Sequence, residues 1–236
     1  TVVYHGTPLS PISELMKMGG KNFCVSFARP DDVKVCLQIG QSIMYDCGSF
    51  SVFTKGLEVD FNRYYSWLED KLGHPHWCLP PDKINGTIED QKNLIKTFPF
   101  SKDYACPVWH IHLDISYLFY LVDNYQKVCF GSSGEFWIVN SEKWRARMDF
   151  VFNELIKKYN KIPYIHMLRG LQMGGDKYPF ASADSTNVAR NFKDKNKCPE
   201  IMARQIDSLQ TPLHNFHSSC HAAQVCLQLL LLVVVV

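Results

Sequence analysis

Short apolar runs alternate along the chain with longer stretches of helical spacing. Thr1–His5 (TVVYH) is rich in β-branched and aromatic residues and stops at Gly6-Thr7-Pro8. Phe23–Phe27, Ser42–Asp46, His76–Leu79, Pro107–Leu113, Lys127–Phe130, Pro163–Leu168 and Tyr178–Ala183 have the same character. Runs of this length bounded by turn formers predict strands. Between them, Ser10–Met18 carries Ile12, Leu15 and Met16 on one helical face and ends at Gly19-Gly20. Pro30 opens a second helix, with Val33, Cys36, Leu37 and Ile39 apolar. Asp60–Leu72 sets Phe61, Tyr64, Tyr65 and Leu68 on one side. Thr87 opens a further helix, and Asp90 three residues on completes a capping box with a shorter acid than usual. A Tyr/Leu-rich helix runs to about Asn124. The longest helix is Ser141–Tyr159, with Trp144, Met148, Phe152, Leu155 and Ile156 at helical spacing.

Strands alternating with helices predict a parallel sheet. Eight such units in 236 residues predict an α/β fold, a single (β/α)8 TIM-type barrel, which typically takes about 250 residues and roughly 200 at the least. The barrel is expected over residues 1–213, with Cys198–Leu213 on its outside. Residues 214–236 break the pattern and end in LQLLLLVVVV. An apolar run of roughly 12 residues would be about 18 Å long as a helix, too short for a bilayer core of ~30 Å. It has no charge to guard it from aggregation. A disordered or aberrant tail is expected there, and no membrane partner.

Composition adds little to this. Apolar residues make up 46% and charged residues 20%, the balance of a soluble globular protein. A net charge of +2 neither selects nor excludes nucleic acid, because a local patch is what binds phosphate. Nine cysteines are scattered without a C-x-x-C. Buried free thiols in a reducing, cytoplasmic compartment are the expectation. Thr1 is not followed by a charged region and a long apolar run, so no signal peptide is expected.

Polar residues fall just after the strands: Asp46, Asp82, Ser132-Ser133, Arg169 and Asp184. A parallel barrel builds its active site at that face. Asp184, followed by Ser185, Thr186 and Asn187, has two readings. It caps the next helix, or it is a catalytic carboxylate at the end of the last strand. The convergence of the other positions favours the second.

The ordered motifs resemble the tRNA-guanine transglycosylase superfamily, and more narrowly its phage and mobile-element relatives that put 7-deazaguanine bases into DNA. Tyr45-Asp46-Cys47-Gly48-Ser49-Phe50 is similar to the family's Asp-Ser-Gly-Gly-Phe motif. Pro81-Asp82 stands where the family has a second acid for the guanine edge. Gly131-Ser132-Ser133-Gly134-Glu135 is similar to its base-pocket loop, and His166-Met167-Leu168-Arg169-Gly170 to its purine-lining strand. Asp184 precedes Arg190-Asn191 as the family's nucleophile precedes an Arg-Asn pair. The similarity spans residues 45–191. Ser51 stands where the family usually has Gln. The family's Cys-x-Cys-x-x-Cys and His zinc site is absent; only Cys198, Cys220 and Cys226 follow. That site supports tRNA binding, so DNA is the expected acceptor ahead of tRNA.

The resemblance implies a base exchange that replaces guanine in a nucleic acid with a free purine or 7-deazapurine, without a cofactor. Retention at C1′ takes two displacements through a glycosyl-carboxylate. Asp184 is the expected nucleophile and Asp46 the acid/base, since a departing purine needs a proton. Asp82 would accept N1–H and N2–H2 of guanine. Ser132, Ser133 and the Gly134 N–H, beside Gly131, would hold its carbonyl. Phe50 and Met167 would sandwich the ring, with His166 in the same pocket wall. Arg169, Arg190 and Asn191, with Lys193 and Lys195, would meet phosphates. A base buried in a barrel mouth comes from a single strand, a loop or a flipped nucleotide.

Two other functions remain open on the residues. His110 and His112 stand two apart on one predicted strand and so share a face. With His166, Asp184 and His5 they suit a metal-dependent barrel hydrolase. A barrel that binds nucleotides or nucleic acid without turnover is the other.

Overall fold

The computed structural model describes residues 1–56, 60–175, 177–194 and 197–209. The tail expected at 214–236 and Lys195 lie outside the described residues. Eight strands form: β1 (Val2–Gly6), β2 (Asn22–Ser26), β3 (Ser42–Asp46), β4 (Trp77–Cys78), β5 (Val108–His110), β6 (Lys127–Gly131), β7 (Tyr164–Met167) and β8 (Ser182–Ser185). They make one all-parallel sheet in the order β4-β3-β2-β1-β8-β7-β6-β5. The intervening helices are α1 (Ile12–Met16), α2 (Val33–Ile39), α3 (Ser49–Thr54), α4 (Phe61–Leu68), α5 (Ile88–Lys96), α6 (Ile115–Asn124) and α7 (Glu142–Tyr159). Only a 3-10 turn at Leu171–Met173 separates β7 from β8, and α8 (Asn187–Asn191) and α9 (Pro199–Ser208) follow.

The sheet is strongly curled. Tyr4 on β1 packs edge-on against Trp77 on β4, with ring centroids 5.2 Å apart, and Trp77 meets His166 on β7 at 5.1 Å. Strands five places apart in the ladder touch this way only if the sheet bends round on itself. The expected closed barrel is not a complete ladder, however. β4 and β5 do not pair as strands; Cys106 N–H donates to the Cys78 carbonyl at 2.9 Å, and Cys78 and Ala105 form one isolated parallel bridge. The sequence at that seam explains the gap. Pro80, Pro81 and Pro107 have no N–H to give to a ladder.

Side chains alternate between two layers, as strand geometry requires. Tyr4, Trp77, His166 and Ser182 turn inward. Trp109, Val128, Phe130, Ile165, Met167 and Ala183 turn outward and form one core with α6 and α7. The α7 helix starts at Ser141, whose hydroxyl accepts the Trp144 N–H, and ends at Asn160 in the left-handed region. Its buried face is Trp144, Met148, Val151, Phe152 and Leu155. The Thr87–Asp90 capping box of α5 forms as expected. Outside β1, α9 presents Asp207 to the buried His5, Nε2 to Oδ1 3.0 Å. His5 therefore belongs to the outer layer, away from the other pocket histidines.

The last strand begins later than expected. Of the expected Tyr178–Ala183, only Ser182 and Ala183 are strand; pairing starts at Ala181, whose N–H donates to the Ile165 carbonyl, and β8 runs on through Ser185. Pro179 cannot donate, and Phe180 N–H turns back to the Tyr178 carbonyl. Asp184 thus lies inside the strand rather than after it.

Candidate active site

A cavity of about 480 Å³ opens at the carboxyl ends of the strands, within the usual range for small-ligand sites of roughly 300–1,000 Å³. Asp46, Asp82, Ser132, Arg169 and Asp184 all line it. Asp184 reaches it from β8 and Asp46 from the last position of β3. Asp82 comes from the loop after β4, where the two prolines end pairing.

Each carboxylate has its own surroundings. Burial pushes Asp46 up to about 6, against the Gly48 N–H and Ser26 hydroxyl that favour its charge; Asp82 and Asp184 add to the rise. The Gly48 N–H reaches Oδ1 at 3.1 Å, and Gly48 adopts φ +81° to deliver it, a conformation suited to glycine. Asp82 is buried too, yet it lies below the ordinary value. Burial is outweighed by His110, whose Nε2 is 2.9 Å from Oδ2, and by the Ser49 hydroxyl and Cys47 thiol. Asp184 is buried, and its Oδ1 accepts the Arg169 backbone N–H at 2.9 Å. It caps no helix: the first position before α8 is Thr186, and the Asn187 N–H goes to the Ser185 hydroxyl.

Arg169 spans the mouth. Its guanidinium lies 3.9 Å from the centroid of Phe50 and 5.0 Å from that of Trp137. Burial lowers its pKa, and the negative charges of Asp184 and Asp46 push it back up. Its backbone has φ +55°, a conformation that costs a non-glycine residue about 1–3 kcal/mol and gathers at functional sites. Here it turns the N–H toward Asp184 while sending the side chain over Phe50.

The remaining expected residues divide. Phe50, Gly131 and Arg190 line the cavity with Ser132, whose oxygen also accepts the Trp144 indole N–H at 3.0 Å. Ser133 does not reach it; its hydroxyl is bound to His112 Nδ1 at 2.7 Å. Gly134 opens the next turn at φ +57°, packed on His112. Met167 does not face the cavity either. It lies in the outer core, and Leu168 takes the lining position. Strand parity explains this: His166 points inward, so Met167 points outward. His166 is wholly buried beneath Asp184, with Nε2 3.6 Å from Oδ1. Asn191 turns back to the Asn187 carbonyl, away from the cavity.

β5 ends at His110, short of His112, yet the two rings stay side by side with centroids 6.1 Å apart. His110 turns to Asp82 and His112 to Ser133. Among the described residues no three His, Cys, Asp or Glu side chains form a group able to hold a metal. The seven described cysteines are all free. No helix among the described residues is long and apolar enough to cross a membrane.

Several lining residues escaped the sequence. Ser26 and Cys24 enter from β2, and Thr186 follows β8. The signal for the first two was parity: residues 24 and 26 share a face of one strand. Trp137, which does not line the cavity but flanks Phe50 with centroids 5.7 Å apart, gave no signal, because that contact joins segments far apart in sequence.

No protein-family model matches this chain, and no curated protein or solved structure shows a significant similarity to it.

Proposed function

We propose that this chain is a base-exchange glycosyltransferase, related in mechanism to the tRNA-guanine transglycosylases, that replaces guanine in a nucleic acid with a purine or 7-deazapurine base. The observation that carries the reading is the pairing of Asp46 and Asp184 on one cavity in unlike environments. Asp46 is raised by burial and Asp184 accepts the Arg169 backbone N–H; two carboxyl groups so differently held suit an acid/base and a nucleophile. The fold is taken as a (β/α)8 barrel closed across the Cys78–Ala105 seam.

In the first displacement an Asp184 oxygen bonds C1′ and the C1′–N9 bond breaks. The electron pair leaves on the purine, and a proton from Asp46 neutralises it. A group pushed up to about 6 holds a proton near neutrality yet releases it readily. In the second displacement the incoming base attacks C1′, Asp46 takes its proton, and the C1′–O bond returns its electrons to Asp184. Asp82, charged and fixed by His110, accepts the N–H edge of guanine. Phe50 offers the base a face, and Arg169 and Arg190 meet the flanking phosphates. DNA is the favoured acceptor. The reaction needs no cofactor.

The test is incubation of the protein with labelled guanine and either DNA or tRNA. Label should enter one polymer, DNA ahead of tRNA. Asp184→Ala should abolish incorporation, and Asp46→Asn should slow it more than it weakens binding, because the proton is needed in the transition state. Incorporation by Asp184→Ala at the original rate, or no label in either polymer, would end the assignment.

A further inference from the structure

His166 is the one imidazole directly beneath Asp184, and its bonding bears on which nitrogen carries the proton. The β7–β8 register sets His166 beside Ser182, and both side chains turn inward. His166 Nδ1 lies 2.8 Å from the Ser182 hydroxyl. That hydroxyl accepts the phenolic proton of Tyr164 at 2.9 Å. Burial pushes the Tyr164 phenol up, so it stays a donor. Ser182 has one proton of its own and two lone pairs. Nδ1 is an acceptor within reach of that proton. A Ser182 hydroxyl that receives Tyr164 and donates to Nδ1 leaves the ring proton on Nε2.

Nε2 is buried and has no hydrogen bond among the described residues. It points at Asp184 Oδ1 across 3.6 Å. The ring is held edge-on by Tyr4 at 5.9 Å and Trp77 at 5.1 Å. Trp77 donates its own N–H to the Tyr4 hydroxyl, which lies 3.2 Å from Ser42. A buried N–H left unsatisfied is destabilising, and one aimed at a carboxylate has a partner within a small movement. Catalytic hydrogen bonds are often long before substrate binds and tighten with it.

We propose that His166 is a positioning residue for Asp184: the Tyr164–Ser182 relay locks it as the Nε2–H tautomer, and that N–H joins the Arg169 backbone N–H on Oδ1, leaving Oδ2 to attack the sugar. The proposal rests on Asp184 being the nucleophile. It assigns His166 a role behind the carboxylate rather than on the base. Two donors on Oδ1 also stabilise the carboxylate when the C1′–Oδ2 bond breaks and its electrons return. Their loss should therefore slow release of the glycosyl group more than its capture.

Long-range proton–nitrogen correlation spectra of nitrogen-15 protein read the tautomer on the resting chain, with no substrate present. The His166 signals are assigned by their disappearance in His166→Gln. The expected result is protonated Nε2 and an accepting Nδ1, with that bias lost in Ser182→Ala. Protonated Nδ1 in the native protein overturns the relay, whatever the reaction proves to be. In exchange assays His166→Leu should lower kcat by roughly 10–100-fold, the scale of a misplaced reacting group, with KM little changed. His166→Gln, which keeps an N–H near the Nε2 position, should recover most of kcat. A rise in KM at constant kcat in both variants would place His166 on the base and overturn the positioning role.

Discussion

At the scale of single residues, the site is a matter of unlike carboxylates. Asp46 sits among two other acids, with burial raising it to about 6; an unfolded Asp titrates near ~3.9. The folded protein thus binds a proton more tightly at this position than the unfolded chain does. Its contribution to stability is full below about pH 4 and is lost as pH rises through about 6. Asp46→Asn removes that dependence. Denaturation at pH 4 and at pH 8 should show the variant gaining on the native protein at the higher pH. The gap between the folded and unfolded values sets a ceiling of about 3 kcal/mol, and the partial exposure of Asp46 at the rim reduces it. Equal differences between variant and native at the two pH values would contradict the burial of this charge. The same substitution removes the proton donor of the proposed exchange, which predicts that stability at the higher pH rises as exchange slows.

At the scale of elements, the sequence was most legible where one period ran undisturbed. The α5 cap and most of the α7 face were readable because each depends on residues within one or two turns. Val151 took a buried place beside Trp144, Met148, Phe152 and Leu155, while the expected Ile156 is only half-buried. The expectations that changed depended on backbone pairing. Pro179 delays β8, and the end of β5 at His110 leaves two neighbouring imidazoles with different partners, Asp82 for His110 and Ser133 for His112. Met167 was assigned by its position in a motif, whereas parity from His166 puts Leu168 in the cavity. The 3-10 turn between β7 and β8 replaces the helix of a full repeat and brings Leu171 and Gln172 to the cavity wall. Element packing and site are joined at α7: Trp144 is fully buried and its indole holds Ser132. Trp144→Ala should cost about 3–5 kcal/mol as a large-to-small core change and free the Ser132 hydroxyl. Urea denaturation measures the loss; a cost under about 1 kcal/mol would show that the helix does not depend on this anchor.

At the scale of the whole molecule, curling of one parallel sheet is what makes a site out of distant residues. Asp46 and Asp82 are brought together by the β3–β4 pairing, and Asp184 on β8 joins them because the sheet curls until β4 and β7 approach across the interior. The alternation of strands and helices foretold the parallel sheet. The seam between β4 and β5 was hidden in the prolines on either side of it, whose effect appears only once strand order is known. In the proposed function this assembly makes Asp184 a covalent catalyst. The most direct measurement is mass spectrometry of peptides from protein mixed with guanine-containing DNA, without added free base, and denatured at once. The account predicts a glycosyl mass on the peptide bearing Asp184, absent from Asp184→Ala and more abundant in His166→Leu. Exchange-competent protein with the adduct on another residue, or with none, would contradict it.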